Sequence, residues 1–270
     1  EMPDPIPLWE FSPKWEKGQV EYYADNGQGD LVYPDSSGLK QGDDPDGNTF
    51  VSGCDTEDNN DTNGDGIENY YWNQPFLGTS VGEAAVGTVI VDRDFSGTNE
   101  RLRRSVAVFS GGDRGNHGTP CDRQQRVGRA IYVVDMQTGT LLRRFVSYID
   151  PDDGNEKRFK APVTGSPALY NSFPGSLVTR GFVGDANGRL FRIDMSHSDP
   201  SDWQVELFFD PERAHDSGSG ELDAPPPYGP ASFKPALSLG TQATGGNLLI
   251  FYGLGEPGDT TTGGQTQIVL

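Results

Sequence analysis

The chain has 270 residues and a formal net charge of −19, with 40 acidic side chains against 21 Lys and Arg. This balance argues against binding to nucleic acid or to anionic lipid, because both are held by clusters of basic side chains. The sequence contains no run of about 18 apolar residues, so no membrane span is expected in this chain. Its 36 glycines and 20 prolines indicate many turns.

The first 85 residues divide into a short apolar stretch and a long polar one. Residues 1–12 contain the strand-like run 6–11, which we interpret as the outer strand of a preceding β-blade. Residues 13–85 are rich in Gly, Asp and Asn and predict a long insertion outside any blade. Glu1 is not an initiator methionine, so we expect a processed product or a fragment of a longer chain.

A calcium-type loop is predicted at residues 61–69, within this insertion. Calcium takes about six to eight oxygen ligands, one of them usually a backbone carbonyl. Oxygen side chains stand at loop positions 1, 3, 5 and 9, a glycine at position 6 and a carbonyl donor at position 7: Asp61, Asn63, Asp65, Asn69, Gly66 and Ile67. Position 12 is Trp72, so the loop is not an EF-hand. The alternative is a solvated turn, for which the same residue types are common.

Residues 92–100 repeat this spacing with a weaker donor set. The predicted ligands are Asp92, Asp94, Ser96, the carbonyl of Thr98, and Glu100. Ser96 is a poorer ligand than a carboxylate, and Arg93 brings positive charge. Calcium is the cofactor expected at both loops, and a solvated turn is again the alternative.

The two cysteines, Cys54 and Cys121, lie in polar surroundings. In an exported protein they could form one disulfide that closes a long loop; otherwise they are two unpaired thiols. The three histidines are scattered and no CxxC occurs, so a zinc site is not expected.

Strand-like runs dominate the rest of the chain. Residues 86–91, 105–110, 130–134 and 141–146 are short, β-branched or aromatic, and bounded by turn residues. A hairpin turn at 137–140 joins the last two runs. No stretch has the 3.6-residue period of an amphipathic helix, so the sequence predicts an all-β fold.

One strand pattern recurs along the chain. Hydrophobic runs end at Gly111, Gly184 and Gly253, about 70 residues apart. A unit has an inner strand (165–169), a middle strand (179–185), a third strand (190–195) and an outer strand (204–209). This order predicts a β-propeller of four-stranded blades, with blades at 86–150 and 151–210 and a loop with a partial blade at 211–270. About three blades leave both ends open, so we expect a fragment of a larger ring.

The most specific stretches resemble a known family. Residues 7–12 (PLWEFS), 128–142 (GRAIYVVDMQTGTLL), 165–168 (GSPA) and 181–195 (GFVGDANGRLFRIDM) resemble the C-terminal propeller of PilY-type type IV pilus biogenesis factors. Family members carry a calcium loop between two strands of a blade, the position that residues 92–100 occupy here. The corresponding turn of the next blade, 171–176, lacks the carboxylates.

The resemblance implies an exported protein of the pilus tip, outer surface or periplasm that supports pilus assembly, surface attachment and motility. Its implied partners are minor pilins or other surface-assembly proteins and a host or abiotic surface. We therefore expect no enzymatic activity. The alternative is a quinoprotein-like dehydrogenase on the same fold, although the four tryptophans do not recur blade by blade as its stacking motifs would.

Overall fold

The architecture comes from a computed structural model, which describes residues 24–25, 31–32, 77–79, 82–92, 101–113, 127–149, 156–171, 175–211, 229–240, 248–255 and 268–269. Apart from a turn of 3₁₀ helix at Pro200–Asp202, the secondary-structure elements of these residues are β-strands. The all-β prediction is therefore confirmed. In the same residues, no helix is long and apolar enough to cross a bilayer.

The fifteen strands of the described residues form four antiparallel sheets. Their bounds are β1 (Ala24–Asp25), β2 (Leu31–Val32), β3 (Ala85–Asp92), β4 (Arg101–Ser110), β5 (Ala130–Asp135), β6 (Leu141–Val146), β7 (Tyr148–Ile149), β8 (Glu156–Lys157), β9 (Ala168–Asn171), β10 (Val178–Gly184), β11 (Leu190–Asp194), β12 (Gln204–Phe209), β13 (Ala236–Leu239), β14 (Leu248–Gly253) and β15 (Ile268–Val269).

The first sheet contains the four strands predicted between residues 86 and 146. Its order is β1-β2-β6-β5-β4-β3, so β3 to β6 form a meander in which each strand pairs with the next. β4 begins at Arg101, four residues before the predicted start, and Asp92 pairs with Arg101 at the loop end of the β3–β4 hairpin. β1 and β2 extend this sheet at β6, although both belong to the segment assigned to an insertion.

The second sheet is a four-stranded meander in the order β12-β11-β10-β9. The third sheet has the order β13-β14-β15, and β7 pairs with β8 in a separate two-stranded ribbon. The strands predicted at 179–185, 190–195 and 204–209 are thus present as β10, β11 and β12, and the hydrophobic run that ends at Gly253 forms β14.

The sheets are held together by buried apolar side chains, and in β5 and β6 every residue is buried because both faces of these strands are covered. The largest core cluster joins the first and second sheets, and its members include Val89, Val108, Phe145, Val183, Phe191 and Trp203. A second cluster joins the second and third sheets through Phe182, Leu190, Ala231, Tyr252 and Leu254. Because the two faces of the second sheet are covered by different neighbours, the three sheets stack in chain order.

The first two sheets each have an equivalent backbone hydrogen bond just after the third strand of their meander. The backbone N–H of Met136 donates to the carbonyl of Ser105 at 2.9 Å in the first sheet, and that of Met195 donates to Thr179 at 2.8 Å in the second. Each bond fastens the residue after the third strand to the second strand of the same sheet. The described residues do not close into a ring of sheets, so the observed architecture is a series of stacked antiparallel sheets.

Candidate functional site

Of the ten predicted calcium ligands, Asp92 is the one that lies within the described residues. The other predicted ligands fall outside them: Asp61, Asn63, Asp65, Ile67, Asn69, Asp94, Ser96, Thr98 and Glu100. Cys54 and Cys121 also fall outside, so the disulfide stays a prediction.

Asp92 is the last residue of β3, where the chain leaves the first sheet. Its backbone N–H donates to the carbonyl oxygen of Ser198 at 3.0 Å. The hydroxyl of Ser198 donates to Oδ2 of Asp92 at 3.2 Å. Arg101 Nε lies 3.9 Å from Oδ1 of the same carboxylate. The carboxylate is thus oriented by one hydroxyl and one guanidinium, and its side chain keeps 25% of its surface exposed.

The segment that carries Ser198 is itself held by local hydrogen bonds. Asp194 accepts from the N–H of Ser196 at 2.9 Å, and Asp199 accepts from the N–H of Ser201 at 2.8 Å. The indole of Trp203 is buried and donates through Nε1 to the carbonyl of His197 at 2.8 Å. Since both ends of the segment are anchored, Ser198 is presented to Asp92 from a defined loop.

The ionised state of Asp194 helps to hold the segment that carries Ser198. Partial burial opposes ionisation of its carboxyl, but the hydrogen bonds from Ser196 and the nearby Arg180 and Arg192 outweigh that effect and lower its pKa. Asp194 therefore stays ionised, and it keeps accepting from Ser196, to a lower pH than an isolated aspartate would.

A cavity of about 230 Å³ lies beside the Asp92–Ser198 contact, between the first and second sheets. Its lining is apolar in part (Ile90, Leu177, Val178, Met195) and polar in part (Arg101, Thr179, Ser196, His197, Ser198). The imidazole of His197 is largely exposed, with Nδ1 3.7 Å from a carboxylate oxygen of Asp202. Two contacts of the Asp92 carboxylate, Arg101 and Ser198, thus lie in the lining of this small space.

The donor chemistry of the 92–100 loop fits a hard cation, because all of its predicted ligand atoms are oxygens. Within the described part of the chain, no group of three or more His, Cys, Asp or Glu side chains is placed to hold a metal ion. Of the proposed ligand set, the structure thus supplies one oriented carboxylate, which Arg101 partly neutralises.

Two residues of this region were not anticipated from the sequence. Ser198 lies 106 residues from Asp92, and no local motif marks it as a partner. Arg101 was placed before the predicted strand, whereas it opens β4 and faces Asp92 across the hairpin.

Comparison of the chain with protein-family models, with curated proteins and with solved structures found no match.

Proposed function

We propose that this chain is a calcium-binding, non-enzymatic scaffold of an exported surface protein, acting at the pilus tip or outer surface in type IV pilus assembly, attachment and motility. The observation that carries the calcium part is the pair of hydrogen bonds between Asp92 and Ser198 at the loop end of the β3–β4 hairpin. A ligand carboxylate already held in place loses less conformational freedom when it binds a cation.

The stacking of the sheets supports the propeller on which this proposal rests. β3 contacts β9 and β10, and β13 contacts β9, so the first strands of the three successive sheets lie near one another. In a propeller the first strand of each blade lines the central axis, and each blade buries its faces against its neighbours. Apolar clusters on both faces of the second sheet agree with that arrangement.

Calcium at residues 92–100 would replace Arg101 as the main positive charge on Asp92. The guanidinium lies 3.9 Å from Oδ1, at the long end of ion-pair distances, so the competition it offers is modest. The proposed result is a hairpin tip ordered by calcium on a rigid pair of sheets. The 61–69 loop has the richer carboxylate and amide set and is proposed as a structural site within the segment 13–85.

The calcium proposal is tested by titration calorimetry of the purified chain. The double variant Asp94→Ala, Glu100→Ala should lose one class of binding site, and Asp61→Ala, Asp65→Ala should lose the other. Asp202→Asn is the matched control, because it removes an exposed carboxylate near the cavity but outside both loops. Unchanged binding in both double variants would rule out these loops as calcium sites.

The surface function is tested in the organism that encodes the chain. Deletion should reduce surface pili and attachment, and the wild-type gene should restore both. The Asp94→Ala, Glu100→Ala variant should restore assembly but alter the calcium dependence of attachment. Normal piliation and attachment after deletion would contradict the pilus proposal while leaving the calcium result standing.

A further inference from the structure

Asp185 is a fully buried carboxylate at the turn between β10 and β11. Its Oδ1 accepts hydrogen bonds from the backbone N–H groups of Asn187 and Arg189, both at 2.9 Å. Its Oδ2 lies 3.6 Å from Nε of Arg189 and makes no hydrogen bond. A buried carboxylate oxygen without a hydrogen bond is costly while it is charged, because water no longer solvates it.

This turn forms the joint between the second and third sheets. The carbonyl of Asp185 accepts from the N–H of Ala231 at 2.9 Å, which fastens the approach to the third sheet. The hydroxyl of Tyr252, on β14, donates to the carbonyl of Gly188 at 3.1 Å. The turn is therefore hydrogen-bonded to β14 of the third sheet and to Ala231, which precedes β13.

The charges that act on Asp185 come from three elements. Arg189, on the same turn, favours the ionised carboxylate, whereas Asp210, after β12, opposes it. Tyr252, from β14, is the titratable group on the side of the third sheet. Burial is the largest influence and raises the pKa of Asp185 to about 6, with Arg189 and the two backbone donors offsetting only part of it.

We propose that this joint is a proton-operated latch: the third sheet is held more firmly when Asp185 carries a proton than when Asp185 is ionised. The proton comes from solvent and binds one carboxylate oxygen, leaving a neutral acid beside Arg189. Protonation removes the repulsion from Asp210 and neutralises a buried oxygen, Oδ2, that no hydrogen bond stabilises while it is charged. As pH rises, the proton is lost and a charged carboxylate is left inside the joint.

The direction of the effect follows from linkage. A folded-state pKa above the ordinary value means that the folded chain binds the proton more tightly than the open state does. The extra stability of the joint is therefore complete below the ordinary range of an aspartate and is lost as pH rises through about 6. The latch is thus closed in mildly acidic conditions and weaker at neutral pH.

The test is hydrogen exchange of the intact chain, read as protection factors for β14 with β5 as the internal reference. Between pH 5 and 7.5 we expect protection of β14 to fall by roughly 10-fold, because pH 5 lies about one unit below the folded-state pKa of Asp185 and each unit is worth about a factor of ten in proton binding. Chelator is present throughout, so the result is independent of the calcium proposal. Asp185→Asn should keep β14 equally protected at both pH values.

Asp135→Asn is the matched control. Asp135 is also buried, caps a hairpin by accepting from Gln137 at 2.7 Å, and faces Arg104 at 3.5 Å, but it lies in the first sheet. It should leave the pH dependence of β14 intact. A wild-type pH dependence in Asp185→Asn would overturn the latch. If that variant does not fold, Arg189→Gln decides, because Arg189 is the strongest influence that favours the ionised carboxylate: the transition should move to higher pH, and an unmoved transition overturns the proposal.

Discussion

Asp92 and Ser198, 106 residues apart in the chain, are joined by two hydrogen bonds, one between backbones at 3.0 Å and one between side chains at 3.2 Å. Asp92 ends the first strand of the first sheet, and Ser198 follows the third strand of the second sheet. The pair therefore fastens the proposed calcium hairpin to the neighbouring sheet.

Removing the hydroxyl of Ser198 should loosen this fastening. We expect Ser198→Ala to lower the free energy of unfolding by about 1 kcal/mol, the usual net contribution of one hydrogen bond, and to weaken calcium binding at the 92–100 loop. Urea unfolding and calorimetry measure the two effects. Ser201→Ala is the control, because Asp199 is bonded by the backbone N–H of Ser201, which the substitution keeps. Equal effects of the two variants would contradict a specific role for Ser198.

Removal of calcium should act on the loops and spare the sheets. With chelator, we expect faster proteolysis between residues 55 and 100 and an unchanged β-sheet circular dichroism spectrum, because the core clusters contain no proposed ligand. Limited proteolysis with mass spectrometry locates the cleavage sites. Identical cleavage with and without chelator would contradict calcium binding in this region.

Truncation of Phe191 should show that the first two sheets depend on one shared hydrophobic core. Phe191 is fully buried in the cluster that joins them and meets Phe159 edge to face at 5.0 Å between ring centroids. Phe191→Ala should cost about 3–5 kcal/mol, as expected for a large side chain removed from a packed core. Phe233→Ala, at a half-exposed site, should cost far less in the same denaturant titration. A small loss at Phe191 would mean that the two sheets do not share a core.

A side chain at Gly184 should push the third sheet away from the second. A Cβ placed there would meet the Cβ of Ala231 and lie 2.5 Å from its backbone oxygen. Gly184→Ala should therefore lower the protection of β14 in hydrogen exchange and leave β5 unchanged. Gly181→Ala is a milder control, since its Cβ would meet a movable methyl of Leu169 at 3.0 Å. Retained protection of β14 in Gly184→Ala would show that the contact between Gly184 and Ala231 can widen without loss of stability.

The pH dependence of stability should carry opposite contributions from Asp194 and Asp185. The pKa of Asp194 is lowered, so its contribution is present above the ordinary aspartate range and is lost as pH falls through the lower, folded-state value. Asp194→Asn should thus destabilise the chain at pH 6 and make little difference at pH 2.5. Denaturant titrations at the two pH values measure this, and an equal loss at both would show that charge is not the cause.

The local structure was largely predictable from the sequence. Runs of β-branched and aromatic residues between Gly, Asp and Thr placed β3, β5, β6, β11, β12 and β14 to within a few residues. The Gln137–Thr140 turn was also recognised, because Asp135 accepts from the N–H groups of Gln137 and Thr138 and so caps the turn within a short stretch of chain. Signals of this kind act over neighbouring residues and are visible in the amino-acid order.

The sequence by itself determined that this is an all-β chain built from repeated antiparallel meanders, and it predicted calcium at two acidic loops from the spacing of their oxygen side chains. The tertiary structure alone decided which distant residues meet. It placed Ser198 on Asp92, joined β2 to the edge of β6, and buried Asp185 against the approach to the third sheet. These contacts depend on how whole sheets stack, and stacking is set by the sum of many side-chain contacts rather than by local propensity.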